Sequence, residues 1–152
     1  MSVRVSTLGT ALLGCIAVFA LDQGCKTFFF EDGHSFSFLA GFVQSIHHQN
    51  YGIAFNIPVP QWLILGITLI AAGGVLFLLT RPRAQTSFVF SLLLGVLLGG
   101  ALGNAFDRWQ FGFVRDWLLL WNHSAINIAD LGVLVGLSGA FILSQRSPQP
   151  KT

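Results

Sequence analysis

The sequence predicts an all-α membrane protein, a bundle of four transmembrane helices with a small extracytoplasmic lobe between helices 1 and 2. Of its 152 residues, 53% are hydrophobic and only 9% are charged, and the mean hydropathy is +0.71. Soluble domains carry about 25% charged residues, so this chain has too little charge to cover a water-facing surface. Four apolar stretches of roughly 20 residues, the length that crosses a bilayer, are separated by polar segments.

Each predicted span follows from the length of its apolar stretch. The first covers residues 5–21, at the short end of the range that crosses a bilayer. The second covers 60–80 and carries Trp62 near its start, where an aromatic side chain would lie at the membrane interface. The third and fourth cover 86–105 and 125–144. The whole chain, 1–152, is interpreted as one domain.

The lobe is predicted between the first two spans, over residues 28–58. No span fits there because charged and histidine side chains interrupt the segment. Its expected structure is a set of short strands or an interfacial helix, for example over 36–43.

The N-terminal stretch has a second interpretation. Leu12-Leu13-Gly14-Cys15 looks like a lipobox, the cleavage site of lipoprotein precursors. The apolar run continues past Cys15 to Leu21, which favours an uncleaved first helix over a signal peptide. On such a helix Cys15 and Cys25 would lie about 15 Å apart, too far for a disulfide, and both are expected to be packing residues.

The distribution of charge predicts the orientation. Four spans place both termini and the 81–85 turn on one side, which holds five of the eight basic residues: Arg4, Arg81, Arg83, Arg146 and Lys151. The other side holds Lys26, Arg108 and Arg115. The positive-inside rule therefore places both termini in the cytoplasm. The acids and histidines gather at the opposite side, so we expect the chemistry there. A net charge of +2 is too weak for nucleic-acid binding.

Several polar residues lie where a membrane tolerates them poorly, and each therefore needs a reason. Asp22 and Lys26 are four residues apart and could form an ion pair on one helix face. Asn104, Asp107 and Arg108, at the end of the third span, are spaced to share a face. We expect Asp107 to be structural, whereas Asn104 and Arg108 could point toward the backbone of a substrate.

The most informative acids are Asp116 and Asp130. Asp130 is followed directly by the apolar run of the fourth span, and no cation lies near it in sequence. Asn127 could cap that helix, and an acid in the first turn favours the helix dipole. Capping leaves the unpaired Asp130 and the nearby Asp116 unexplained, and intramembrane acids are functional candidates by default.

Two other patterns receive structural interpretations. His47 and His48 suggest a metal, but no HExxH motif or cysteine accompanies them, so we expect a loop and no metal site. Glycines recur every four residues in the third and fourth spans, a spacing that lets membrane helices approach closely. These glycines are Gly95, Gly99, Gly103, Gly132 and Gly136.

Five segments together resemble signal peptidase II, a bacterial membrane aspartic peptidase. They occur in the family's order and cover nearly the whole chain: Asp22-Gln23-Gly24-Cys25-Lys26, Asn50-Tyr51-Gly52-Ile53-Ala54-Phe55, Gly99-Gly100-Ala101-Leu102-Gly103-Asn104-Ala105-Phe106-Asp107-Arg108, Gly112-Phe113-Val114-Arg115-Asp116-Trp117 and Asn127-Ile128-Ala129-Asp130. Three features differ from the family's usual pattern. They are Cys25 in place of Ser or Thr, Ile53 in place of Ala, and a short 117–126 segment ending in Ile126 in place of Phe.

The resemblance implies a function and a set of site residues. Asp116 and Asp130 would be the catalytic pair, without a cofactor or metal. Asn50, Gly52, Asn104, Arg108 and Asn127 would bind substrate or orient the pair, while Asp22, Lys26 and Asp107 would support the site. The implied substrate is a prolipoprotein whose cysteine carries a diacylglyceryl group and before which the chain is cut. A monomer is expected in the bacterial inner membrane, in contact with lipid, with its site near the extracytoplasmic face.

A non-enzymatic membrane protein is the alternative class. A small transporter or channel would use Asp116 and Asp130 as a proton relay, and would show an inverted repeat and polar residues near mid-span. The sequence shows neither, since Thr68 is the only polar residue between Trp62 and Leu79. A scaffold would use the glycine faces and leave the acids without a role.

Overall fold

The computed structural model describes residues 7–53, 57–80 and 88–145. This part of the chain contains four long helices: α1 (Thr7–Cys25), α2 (Gln61–Thr80), α3 (Phe88–Phe111) and α4 (Ile128–Gln145). All four are long and apolar enough to cross a membrane. The basic residues used to predict the orientation of the termini and the 81–85 turn lie outside the described residues, as do the starts of the first and third predicted spans.

Two helices extend beyond their predicted ends. The first span was predicted to end at Leu21, but α1 reaches Cys25 and continues as a π-helical turn, Lys26–Glu31. The third was predicted to end at residue 105, but α3 reaches Phe111. Charges mark the predicted ends, but Asp22, Lys26 and Asp107 are fully buried. Lys26 pairs with Asp22 on its own helical segment and with Asp107 on α3, so the charges are neutralised and do not end the helices.

The fold is mostly helical, as predicted, but the label all-α is incomplete because a small antiparallel sheet completes the fold. Its four strands, in spatial order, are β1 (Ser37–Phe38), β2 (Val43–Asn50), β3 (Val114–Leu120) and β4 (Ser124–Ile126). The predicted 36–43 helix is absent; a short 3-10 turn, Leu39–Gly41, lies there instead. The lobe segment therefore takes the strand alternative. The segment after α3 supplies the other two strands.

The short 117–126 segment forms a tight hairpin. Leu120 pairs with Ser124, so only residues 121–123 form the turn between β3 and β4. Trp121 and Asn122 both have positive φ, at 50° and 55°. The backbone N–H of Trp121 also donates to the carbonyl of Phe42, which ties the turn to β2.

Glycines bring α1, α3 and α4 into close contact, which confirms the packing role predicted for them. A Cβ at Gly99 would lie 2.5 Å from the carbonyl oxygen of Cys15 on α1. A Cβ at Gly136 on α4 would lie 2.5 Å from the backbone nitrogen of Leu97. Backbones approach this closely only where side chains are missing. The packing aligns the polar ends of the three helices beneath the sheet.

The outward surfaces of the helices are strongly apolar. Large side chains such as Ile70 on α2 and Phe141 on α4 are 78% and 63% exposed. A surface of this kind is stable against lipid tails and costly in water. The chain is therefore a multi-pass membrane protein.

Candidate active site

A cavity of about 750 Å³ opens where the sheet meets the ends of α3 and α4. On β2 and β3 the lining side chains alternate, as expected for one face of a sheet, so that Ile46, His48, Asn50, Val114 and Asp116 point the same way. Asn104 and Arg108 from α3 and Asp130 from α4 complete the polar wall. The other wall is apolar and comes from Leu119, Ile126, Val133, Leu134 and Leu137.

Asp116 is fully buried on β3, opposite His48 of β2. Its Oδ2 accepts a hydrogen bond from Nδ2 of Asn50 at 3.0 Å, and its Oδ1 accepts one from Nδ2 of Asn127 at 2.6 Å. Burial, and next the negative charge of Asp130, raise the pKa of Asp116 to about 7, although the two asparagines oppose the shift. Burial and a like charge both disfavour the ionised form. This carboxyl group therefore holds a proton close to neutral pH.

Asp130 lies in the first turn of α4, where Asn127 forms the cap predicted from the sequence. The backbone N–H of Asp130 donates to Oδ1 of Asn127 at 2.9 Å. In return the backbone N–H of Asn127 donates to Oδ2 of Asp130 at 3.2 Å, which completes a reciprocal capping box. The remaining carboxylate oxygen accepts from Nδ2 of Asn104 at 2.7 Å. Asn127 thus contacts both acids.

Arg108 connects α3 to the loop after β2. Its guanidinium donates to the carbonyl oxygen of Gly52 at 2.8 Å and to that of Asn104 at 3.2 Å. The backbone N–H of Gly52 in turn donates to Oδ1 of Asn50. Within the described residues, Nε of Arg108 is buried and has no partner. The loop is thus held against the cavity up to residue 53; Ala54 and Phe55 of the sequence motif lie outside the described residues.

The three residues predicted to support the site form one buried network behind it. Nζ of Lys26 lies 2.7 Å from Asp22 and 3.1 Å from Asp107, and the predicted pair between Asp22 and Lys26 is present. Lys26 also donates to Oδ1 of Asn104 at 3.2 Å. Asp22 accepts from the backbone N–H of Ala129 at 2.8 Å, which holds the start of α4.

Asp107 does not line the cavity with Asn104 and Arg108, although their spacing would allow all three to share a helix face; its position in the buried network agrees with the structural role expected for it. Its carboxylate instead accepts from Arg115, at 2.8 Å from Nη2 and 2.9 Å from the backbone N–H. The Asp–Arg pair therefore joins α3 to β3. Helical periodicity alone could not separate the two faces, because residues 104, 107 and 108 lie within about 100° of one another around the helix axis.

Three residues of this network were missed: Gln23, Glu31 and Arg115. Arg115 forms an ion pair with Glu31 and donates to Oε1 of Gln23 at 2.7 Å. One sequence signal could have found Arg115. In a strand, Arg115 and Asp116 must point to opposite faces, so a cavity at Asp116 leaves Arg115 facing the helices, where it needs an acid.

The histidines do not form a metal site together. His48 lines the cavity, whereas His47 is exposed and packs beside Phe30, with ring centroids 5.0 Å apart. Across the described ranges, no group of three or more His, Cys, Asp or Glu side chains is arranged to hold a metal ion. The cavity instead offers two carboxyl groups, one of which has a pKa of about 7 and can still carry a proton near neutral pH, a combination that supplies an acid and a base together.

The sequence model of one protein family, Signal peptidase (SPase) II, matches residues 14–145. The chain belongs to the signal peptidase II family. This confirms the resemblance inferred from the five motifs, and it makes the chain a peptidase.

Named relatives and solved structures agree with this family. The lipoprotein signal peptidase of Pseudoalteromonas atlantica is 33% identical over 84% of this chain and 82% of its own length. The lipoprotein signal peptidase of Halalkalibacterium halodurans is 32% identical over 84% and 86%. A solved bacterial membrane enzyme is 25% identical, with a TM-score of 0.79 over 95% of this chain and 94% of its own. A second has a TM-score of 0.76.

Proposed function

We propose that this signal peptidase II acts as an aspartic endopeptidase, with Asp116 and Asp130 as its catalytic pair. One observation carries the proposal: both carboxyl groups line the same cavity, and the repulsion between them contributes to a pKa of about 7 for Asp116. Two adjacent carboxyl groups do not ionise together easily, so the pair shares one proton. A shared proton gives the cavity one acid and one base.

The chemistry follows from that proton. The ionised carboxylate takes a proton from water while the water oxygen bonds to the scissile carbonyl carbon, and the protonated carboxyl donates to the carbonyl oxygen. When the tetrahedral intermediate collapses, the carbon–nitrogen bond breaks and the leaving amine takes a proton from the pair. Asn50, Asn104 and Asn127 hold the carboxylates in place through the hydrogen bonds described above. The carbonyl of Gly52 fixes Arg108 beside them, where the guanidinium can meet the substrate backbone.

The family removes signal peptides from prolipoproteins, and the cavity fits a lipid-modified precursor. Its apolar wall continues along α4 through Leu134 and Leu137, which are 62% and 57% exposed on the lipid-facing surface. A diacylglyceryl group could remain among lipid tails along this wall while the peptide reaches the carboxylates. We therefore propose cleavage just before a lipidated cysteine, by a monomer in the bacterial inner membrane.

The test is an assay with purified protein in detergent or lipid and one precursor in two forms, with and without the diacylglyceryl group. We expect release of the signal peptide from the modified form only. Equal cleavage of both forms would contradict the lipid-dependent substrate. No cleavage of either form by folded protein would contradict the peptidase assignment to this cavity.

The pH dependence of the rate follows from Asp116. Above about pH 7 its carboxyl group loses the shared proton, the pair no longer contains an acid, and kcat/KM should fall with a midpoint near 7. The hydrogen bond from Asn50 lowers the pKa of Asp116, so Asn50→Ala should move the midpoint upward. Initial rates of cleavage between pH 5.5 and 9 measure both. A rate that rises through pH 7 would contradict the sharing of a proton.

The protonation of Asp116 also affects the stability of the fold, which should fall, like the rate, as the pH rises. Because its folded pKa lies above the value of about 4 in an unfolded chain, the folded state binds the proton more strongly between these values. The contribution of Asp116 to stability is therefore largest below about pH 4 and is lost as the pH rises to 7.

We propose cytoplasmic termini and an extracytoplasmic site. The basic residues of the outer side support this orientation, because Lys26 and Arg115 are buried in ion pairs and Arg108 is held in the cavity wall. The outer surface thus presents little free positive charge to oppose the positive-inside rule.

Cysteine labelling tests the orientation. In a background without native cysteines, Asp32→Cys lies on an exposed part of the lobe, and an impermeant maleimide should label it in cells whose outer membrane is made permeable. Arg83→Cys should react only after the inner membrane is opened. The reverse pattern would overturn the proposed orientation.

A further inference from the structure

Arg115 is the buried cation that lies closest in sequence to the proposed catalytic pair, and it takes no part in the mechanism proposed above. It immediately precedes Asp116 on β3 and is 3% exposed. Because successive side chains of a strand point to opposite faces, Arg115 points away from the cavity and toward the helices. Burying a guanidinium is costly unless several acceptors surround it.

The guanidinium and backbone of Arg115 contact three separate elements. From α3, the Asp107 carboxylate accepts from Nη2 at 2.8 Å, from Nε at 3.4 Å and from the backbone N–H at 2.9 Å. From α1, Oε1 of Gln23 accepts at 2.7 Å. From the π-helical turn, Glu31 forms an ion pair with Nη1. The ring of Phe111 lies 4.4 Å from the guanidinium carbon. This one side chain therefore fixes β3 against the bundle.

A continuous series of polar contacts leads from Arg115 to Asp130, the second acid of the proposed pair. Asp107 pairs with Lys26, Lys26 donates to Asn104, and Asn104 donates to Asp130. Asp22, which also pairs with Lys26, holds the first turn of α4 through the backbone of Ala129. One end of this chain of polar contacts sets the position of Asp116 through its neighbour, and the other sets that of Asp130.

We infer that Arg115 is a positioning residue of the reaction, which sets the separation of the two carboxyl groups by fixing β3 to α1 and α3. The inference rests on the proposed function, because it requires that Asp116 and Asp130 act as a pair. Arg115 touches neither substrate nor reacting atoms. Its effect is on alignment, and a displacement of about 1 Å at a reacting centre can cost roughly 100-fold in rate.

Arg115→Lys is the decisive variant. Lysine keeps the charge but lacks the planar fork that contacts Asp107, Gln23 and Glu31 together. We expect kcat to fall about 10- to 100-fold while KM changes little, because alignment is lost and the binding wall is intact. We also expect the alkaline midpoint of the rate to move downward, since a looser β3 lets the carboxyl groups separate and weakens their repulsion.

That midpoint is informative because Arg115→Lys adds no charge and removes none, so a shift reports a change in the positions of the groups around Asp116. The charged and titratable groups that line the cavity with Asp116 are His48 on β2, His123 in the β3–β4 turn, Arg108 on α3 and Asp130 on α4. The charge of Lys26, in the π-helical turn, also acts on Asp116. A purely structural arginine would alter the yield and melting temperature and would leave kcat and the midpoint of the folded enzyme unchanged. That result would overturn the inference, as would a rise in KM at unchanged kcat.

Glu31→Gln covers the case in which Arg115→Lys does not fold. Glu31 is 43% exposed, so its loss leaves the buried contacts of Arg115 with Asp107 and Gln23 intact. We expect a smaller decrease in kcat with the same direction of midpoint shift. Asp32→Asn, the same change of charge one residue further along and on an exposed side chain, is the matched control and should match the parent enzyme. Identical kinetics for the Glu31 and Asp32 variants would overturn the inference.

Asp116→Asn, measured in the same assay, separates this inference from the proposed function. If Asp116→Asn cleaves normally, the catalytic pair is wrong regardless of Arg115. If Asp116→Asn is inactive and Arg115→Lys keeps the parent kcat and midpoint, only the positioning role fails.

Discussion

Asp116→Asn and Asp130→Asn should each abolish cleavage while leaving a folded four-helix protein. Asparagine keeps the shape of the side chain but cannot exchange a proton with water or with the leaving amine. General acid–base roles contribute about 10² to 10⁴-fold each, and members of a pair that act as a unit lose most of the rate with either one. The measurement is the rate of signal-peptide release from a diacylglyceryl-modified precursor by the purified variants.

Folding must be checked separately for Asp116→Asn. Both carboxylate oxygens of Asp116 accept hydrogen bonds, from Asn50 and Asn127. In Asp116→Asn the new NH₂ group replaces one of these acceptors and faces the NH₂ group of one of the two asparagines. A melting curve shows whether the inactive variant is folded, and Asp32→Asn is the control for loss of one exposed acid. Activity of the parent enzyme should survive EDTA. Loss of cleavage on chelation, with Asp116→Asn still active, would point to a metallopeptidase instead.

Asp107→Asn should produce the largest loss of stability among the polar variants of the network. Asp107 is fully buried between Lys26 and Arg115, and removing its charge leaves two buried cations with fewer acceptors. Breaking a buried pair in this way costs about 3–5 kcal/mol. We expect a clear fall in melting temperature and yield. Cleavage per folded molecule should fall far less than in Asp116→Asn.

A double variant tests the reason for that loss. If the lost ion pair is the cause, the loss of stability in the double variant Asp107→Asn with Lys26→Met should be smaller than the sum of the losses in the two single variants, because the pair between Lys26 and Asp107 can be lost only once. Additive losses in the double variant would contradict this explanation. A stable Asp107→Asn protein that no longer cleaves would move Asp107 into the catalytic machinery.

Local patterns predicted the parts of the structure that depend on neighbours in sequence. Hydropathy over windows of about 20 residues found all four spanning helices. The spacing of Asp22 and Lys26 gave their pair, and Asn127 three residues before Asp130 gave the cap. Each of these relations lies within a turn or two of one helix, where helical geometry fixes which side chains meet.

Long-range pairing explains what the sequence did not predict. The ends of α1 and α3 lie beyond the predicted ends because charges were taken as stops, whereas Lys26 is neutralised by Asp107, 81 positions further along. The register of β2 with β3 joins residues that are 66 positions apart at Asn50 and Asp116. Arg115 meets Gln23, which is 92 positions away. Periodicity and spacing within one segment of a single sequence cannot predict pairs of residues that are so far apart in the chain.

The buried network also has a consequence for how the chain is assembled in the membrane. Asp22 and Lys26 can pair within α1 alone, before later segments have been synthesised. Asp107 at the end of α3 and Arg115 on β3, eight residues apart, form a second pair within one continuous segment of the chain. Each unit is then neutral before the helices dock, which lowers the cost of taking four charges into the bilayer. The two units meet only when α1 packs on α3, so the alignment that we propose for Asp116 and Asp130 forms only after the helices have docked.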